Sequence, residues 1–126
     1  MNNIDEYGKF TEQIWFSKHQ TDCDTFSRDI ENAPCNCDQD PERSITIMSL
    51  GLAGETGEVM EILKKRIRDG KFVKENFVKE MGDVAYYWAR LCLAFGVQPS
   101  EVLATNMAKL LDRKARGKMR GSGDDR

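Results

Sequence analysis

Residues 51–95 read GLAGETGEVMEILKKRIRDGKFVKENFVKEMGDVAYYWARLCLAF, and this run decides the fold. Apolar residues recur at helical spacing on both sides of a break at Asp69-Gly70. Upstream of the break, Met48, Leu52, Val59 and Leu63 form one stripe of a helix expected over 44–68, with Ser44 as a candidate cap. Downstream, Phe77, Met81, Val84, Trp88, Leu91 and Phe95 form the stripe of a helix over about 75–95, stopped by Gly96. Gly51, Gly54 and Gly57 recur every third residue inside the upstream helix, where a glycine costs up to ~1 kcal/mol. That pattern predicts a backbone or a ligand coming very close.

Outside this run the same periodicity continues. Ile4, Tyr7, Phe10, Ile14 and Trp15 place a first helix over 4–18. Pro99 suits the first turn of a last helix carrying Val102, Leu103, Met107, Leu110 and Leu111. Residues 19–43 lack a period, are rich in Asp, Asn and Cys, and contain Pro34 and Pro41; a long loop or insertion is expected there, with a short helix around Phe26–Ile30. No repeat and no strand pattern is visible. The expectation is an all-α, four-helix-bundle-type domain over 1–115, followed by a Gly- and charge-rich mobile tail over 116–126.

Composition narrows the function classes. With 40% AVILMFWYC and 32% charged residues, the chain of 126 residues suits one globular domain. The 19 basic and 21 acidic residues leave a net charge of -2, which argues against stable nucleic acid binding. No apolar run approaches a bilayer-spanning length, and the N-terminus lacks the pattern of a signal peptide. A cytoplasmic protein without a membrane role is expected, in the host cytoplasm for a phage-encoded chain. Disulfides are then a poor reading of Cys23, Cys35, Cys37 and Cys92, and Cys92 reads as a small core residue.

The two central helices each carry acids at i and i+3: Glu55 with Glu58, and Glu80 with Asp83. In each pair the members sit about 60° apart around the helix, on the same flank of the apolar stripe. Antiparallel packing through the stripes lets all four converge. Converging carboxylates repel one another and need cations or protons. All-oxygen ligands favour a hard cation, with Mg2+ expected and Mn2+ able to substitute. A di-iron site is disfavoured because the only histidine is His19. Taken singly, each pair also reads as an ordinary solvated helix face.

With these residues in view, the chain resembles the MazG-like family of all-α nucleoside triphosphate pyrophosphohydrolases, whose signature is E-x-x-E, a spacer of about twenty residues, and E-x-x-D. Glu55, Glu58, Glu80 and Asp83 match it, with Val59 to Lys79 as the spacer. Asn106-Met-Ala-Lys109-Leu-Leu-Asp-Arg113 is similar to the family's N-x-x-K-L-x-x-R, and the C-terminal run resembles the tail of phage-type and small bacterial members. The resemblance implies hydrolysis of NTP or dNTP to nucleoside monophosphate and pyrophosphate, by a metal-activated water attacking the α-phosphorus. It implies that the four acids hold Mg2+, with Glu55 or Glu58 helping to deprotonate the water. It places Asn106, Lys109 and Arg113 on the phosphates; Tyr87, one turn after Asp83 on the flank of the acids, reads as a further phosphate contact or as a partly buried core aromatic. It also implies a homodimer or homotetramer with shared active sites, which the large apolar residues Trp15, Phe16, Phe72 and Trp88 suit.

Several positions carry two readings. Lys65, among Lys64, Arg66 and Arg68, reads as a triphosphate contact or as a basic helix end complementing the dipole. Glu61 reads as a secondary ligand or a solvated residue. His19, Cys23, Cys35 and Cys37 offer four zinc-type ligands at spacings that match no common module. The 19–43 segment, with Trp15 and Phe16 as stacking groups, lies where relatives bind the base. Two other functions stay open: a helical interaction module without catalysis, and hydrolysis of an alarmone or a damaged nucleotide.

Overall fold

The computed structural model describes residues 3–16 and 41–120, which form four helices and no strand: α1 (Ile4–Phe16), α2 (Pro41–Asp69), α3 (Lys74–Ala94) and α4 (Pro99–Ala115). Each helix end has a local cause. At the start of α1 the Asn3 side chain accepts a hydrogen bond from the Glu6 amide at 2.7 Å, which satisfies one of the free N–H groups of the first turn. The α2 helix begins at Pro41, not at Ser44, because the fixed φ of proline and its missing N–H both suit a first helical position. Ser44 therefore lies inside the helix. Gly96 ends α3 with φ +69°; its amide donates to Leu93 and the Val97 amide to Cys92, each at 2.9 Å. This paired closure needs a left-handed residue, which glycine takes without a Cβ penalty. The same pattern recurs at Gly117 after α4.

The α3 helix is the hub, touching α2, α1 and α4. The four-residue link 70–73 folds α2 back along α3, and this is the most extensive helix pair in the molecule. Met48 and Val59 from α2 and Ala89 from α3 are buried in the core. The α1 helix holds the corner between α3 and α4. The ring of Pro99 packs on Gly8, Thr11 is fully buried with its hydroxyl donating to the Gly8 carbonyl at 2.7 Å, and the Asp5 carboxylate accepts from the Ser100 amide at 2.9 Å. Gln98, the residue before α4, makes no side-chain cap of its own, so Asp5 does this from another helix. Those hydrogen bonds, from the Ser100 hydroxyl and amide, hold the Asp5 carboxyl below its ordinary range. Arg90 of α3 is buried near Glu12 of α1; burial lowers its pKa and the Glu12 charge opposes that.

The apolar stripe expected on α4 is present but uncovered. Leu103, Met107, Leu110 and Leu111 are all exposed, with Met107 at 61%. Among the described residues α4 makes no contact with α2. Phe95, Met81 and Ile67 are exposed as well. Among the described residues no helix is long and apolar enough to cross a membrane. Cys92 is half-buried, and burial pushes its thiol up. The expected loop and short helix, the thiols and imidazole of the 19–40 segment, the side chains of Trp15 and Phe16, and the end of the tail from 121 lie outside the described residues.

Candidate active site

The antiparallel α2–α3 hairpin brings acids from both helices together. Glu55, Glu80 and Asp83 each offer a carboxylate oxygen, and these oxygens all lie within 4.8 Å of one another. Glu55 and Glu80 are half-buried and Asp83 is exposed. Burial raises the Glu55 carboxyl above its ordinary value, and the charges of Asp83, Glu58 and Glu80 add to that. An uncompensated negative cluster of this kind disfavours its own ionisation. Oxygens around one Mg2+ sit about 2.1 Å from it, so opposite ligands are about 4.2 Å apart. The observed cluster needs only small side-chain movements to close on one such ion. The donor set therefore fits a hard divalent cation.

Glu58, one turn beyond Glu55, is exposed and stands outside this group of three, although its charge reaches Glu55. Glu61 is paired with Lys64 and, at 3.6 Å, with Lys65. Lys65 lines a small hollow with Lys71, Val73 and Asn76 at the α2–α3 turn, away from the acids. Its position suits the basic helix end better than a phosphate contact.

Beside the acids lies an open cleft of about 560 Å3. Glu55, Asp83, Gly82, Tyr86 and Tyr87 line one part of it, and Tyr7, Phe10 and Ile14 of α1 the other. The Tyr87 ring packs edge-on to Tyr86, with centroids 5.2 Å apart and planes at 81°. Tyr87 is held in place by Gly51: a Cβ there would fall within 2.6 Å of three carbons of its ring. The expected close approach is thus real at Gly51. Among the described residues Gly54 and Gly57 have nothing within 4 Å of a built Cβ. The Tyr7 hydroxyl donates to the Gly82 carbonyl at 3.4 Å, and burial followed by the Asp83 charge raises its pKa.

No residue of α4 lines this cleft. Asn106 and Lys109 are exposed on α4, and Arg113 is buried at 5% exposure. The structure brings together Glu55, Glu80, Asp83 and Tyr87, and leaves the three α4 residues apart from them within one chain. Tyr7, Phe10, Ile14 and Tyr86 were not singled out as site residues in the sequence. The α1 residues have the 3.6-residue spacing of a core stripe, and only the packing of α1 on α3 shows which side of that stripe stays open.

The MazG nucleotide pyrophosphohydrolase domain matches residues 43–117, well over half of the chain. The "Gene 37 protein" of Mycobacterium phage L5 is 39% identical over 94 residues, which cover 71% of this chain and 82% of that protein. No solved structure matches the chain. The matched region contains all three converging acids and the helix pair that carries them, and the chain belongs to the MazG nucleotide pyrophosphohydrolase family.

Proposed function

We propose that this protein hydrolyses nucleoside triphosphates, NTP or dNTP, to the nucleoside monophosphate and pyrophosphate. The observation that carries the reading is the convergence of Glu55, Glu80 and Asp83 at one end of an aromatic cleft, in a chain of this family. In the reaction a water oxygen bonds to the α-phosphorus, and the bond from that phosphorus to the oxygen bridging it to the β-phosphorus breaks. Pyrophosphate takes the bond's electron pair. Glu55, Glu80 and Asp83, with Glu58 one turn away, would hold Mg2+, which would supply neutralisation of phosphate charge and activation of the water; Mn2+ would supply the same chemistry. Glu55 or Glu58 would take up the water's proton. Tyr87, fixed against Gly51, positions the substrate beside the acids.

The substrate contacts on α4 require a second chain. Asn106 and Lys109 do not reach the cleft of their own chain, and the apolar face around them is uncovered. A homodimer or homotetramer that covers this face would bring Asn106 and Lys109 of one protomer to the phosphates at the other's acids. Arg113 is buried within its own chain and is not proposed as a phosphate contact. The proposed location is the cytoplasm, where nucleotides and Mg2+ are abundant.

Incubation with a panel of NTPs and dNTPs plus Mg2+, with identification of products, tests the reading. Monophosphate plus pyrophosphate, absent with Glu55→Gln, is the expected result. Diphosphate plus orthophosphate would place the attack at a different phosphorus and overturn it. Turnover of an alarmone or a damaged nucleotide alone would move the reading to that substrate class.

A further inference from the structure

We infer that the α2–α3 turn carries a second ligand site, a lysine-walled hollow that takes a phosphate-type oxyanion of the size of pyrophosphate without help from the metal-binding acids. The hollow has a volume of about 140 Å3. It is lined by Ile62 and Lys65 of α2, Lys71 and Val73 of the link, and Asn76 of α3. None of the converging acids lines it. Lys65 lies about 15 Å along α2 from Glu55, at ~1.5 Å per residue. Residues 61–75 hold six cations against three acids, a net charge of +3 in a chain whose total is -2. The turn is therefore a local reversal of the protein's overall sign.

The pairing of these charges singles out Lys71. Lys64 and Lys65 share Glu61, Arg68 holds Asp69 at 2.7 Å, and Arg66 lies over the Phe72 ring, 5.1 Å from its centroid. Among the described residues the side chains of Lys71 and Lys74 make no ion pair. Glu75 is exposed and does not line the hollow. Arg66 and Arg68 already complement the dipole at the end of α2. Lys71 and Lys74 stand instead at the start of α3, where the dipole is positive and a cation is locally unfavourable; Val73 adds no side-chain cap there. Crowded cations disfavour one another as crowded carboxylates do, and an anion relieves them. Ile62 and Val73 wall the hollow with hydrocarbon, which strengthens the field of Lys71 inside it. Lys65 adds its charge from the wall, and the Asn76 carboxamide offers a neutral N–H donor. An ammonium is a point charge without a planar fork, so this set responds to total negative charge and favours a multiply charged oxyanion over a carboxylate.

The test titrates pyrophosphate into the full chain in EDTA at physiological ionic strength, read by calorimetry and by amide chemical shifts. Without a cation the acid cluster repels an anion, so binding under these conditions reads the hollow. Saturable binding is expected, weakened at least about fivefold in Lys71→Gln and kept in Lys71→Arg. The shifts should move at Val73 and Asn76 and stay in place at Glu55 and Asp83. Turnover of nucleoside triphosphate with Mg2+ should be the same in Lys71→Gln as in the unaltered protein. Absence of saturable binding by the unaltered protein would overturn the site, and that outcome needs no variant. Binding undiminished in Lys71→Gln, or shifts confined to the acids, would overturn it as well. A fall in turnover in Lys71→Gln with pyrophosphate binding retained would put Lys71 on the substrate's path and remove the separate site. Binding of a short single-stranded oligonucleotide that pyrophosphate does not displace would give the turn to nucleic acid and overturn the small-oxyanion site. Pyrophosphate binding that depends on Lys71, in a protein that turns over no nucleotide, would overturn the hydrolase reading and leave the hollow standing.

Discussion

The ring of Tyr87 on α3 occupies the space that a side chain at Gly51 on α2 would need, with three ring carbons within 2.6 Å of a Cβ built there. This contact sets how closely the two acid-bearing helices approach, and it fixes Tyr87 beside Glu55 and Asp83. Gly51→Ala forces the ring or the helix to move. A cost of about 1–3 kcal/mol in unfolding free energy and a fall in activity are expected. Denaturant unfolding checks the first and steady-state kinetics the second. Gly54→Ala, whose Cβ meets nothing within 4 Å, should instead stabilise by up to about 1 kcal/mol. Destabilisation by Gly54→Ala would place another chain against that side of α2.

Divalent metal should stabilise the fold. Burial, and then the charges of Asp83, Glu58 and Glu80, raise the Glu55 carboxyl; a bound cation offsets this crowding of negative charge, so thermal midpoints should rise with Mg2+. Glu55→Gln removes one of the repelling charges. Its metal-free midpoint should equal or exceed that of the unaltered protein, its response to Mg2+ should shrink, and its turnover should fall at least about a hundredfold. A metal response unchanged in Glu55→Gln would remove Glu55 from the ligand set.

The link from Asp5 to the start of α4 makes part of the acid sensitivity local. Hydrogen bonds from Ser100 lower the folded-state pKa of Asp5 below its unfolded value. A group depressed in this way contributes stability above its unfolded pKa of about 3.9, and that contribution is lost as pH falls through the folded value. The slope of thermal midpoint against pH below about pH 4 should therefore be shallower in Asp5→Asn than in the unaltered protein. Identical slopes would mean that α1 is not held at Ser100 in solution.

The uncovered face of α4 should be an interface. Leu111→Glu places a charge on a position that is 59% exposed in the single chain, where such a change costs little. In an oligomer that buries it, the charge should dissociate the protomers and lower turnover with them. Light scattering coupled to size-exclusion chromatography reads the first effect and a kinetic assay the second. An unchanged mass and unchanged activity would remove α4 from the interface.

The resemblance carried by Glu55, Glu58, Glu80 and Asp83 was legible because it is local. Acids at i and i+3 on each of two helices need only the 3.6-residue turn to share a flank, and the short link at 70–73 leaves the helices little choice but to fold back on each other. The caps at Gly70, Gly96 and Pro99 were legible for the same reason: backbone preferences act within a few residues. The start of α2 was missed by three residues, because Pro41 looked like part of a loop and Ser44 like a cap. Arg113 shows the opposite limit. Its place in the N-x-x-K-L-x-x-R pattern implied a phosphate contact, and the fold leaves it only 5% exposed within its own chain.

The sequence by itself determined four helices, their apolar stripes and the two acid pairs, since helical periodicity is set by backbone geometry and by which residues avoid water. Only the tertiary structure decided that Gly51 is the glycine a ring presses on, that Tyr7 and Phe10 of a helix many residues away face the same cleft as Glu55 and Asp83, and that the α4 stripe lies open. Each of these depends on which side of one helix meets another. That choice is made by the summed packing of residues far apart in the chain, and no local spacing encodes it.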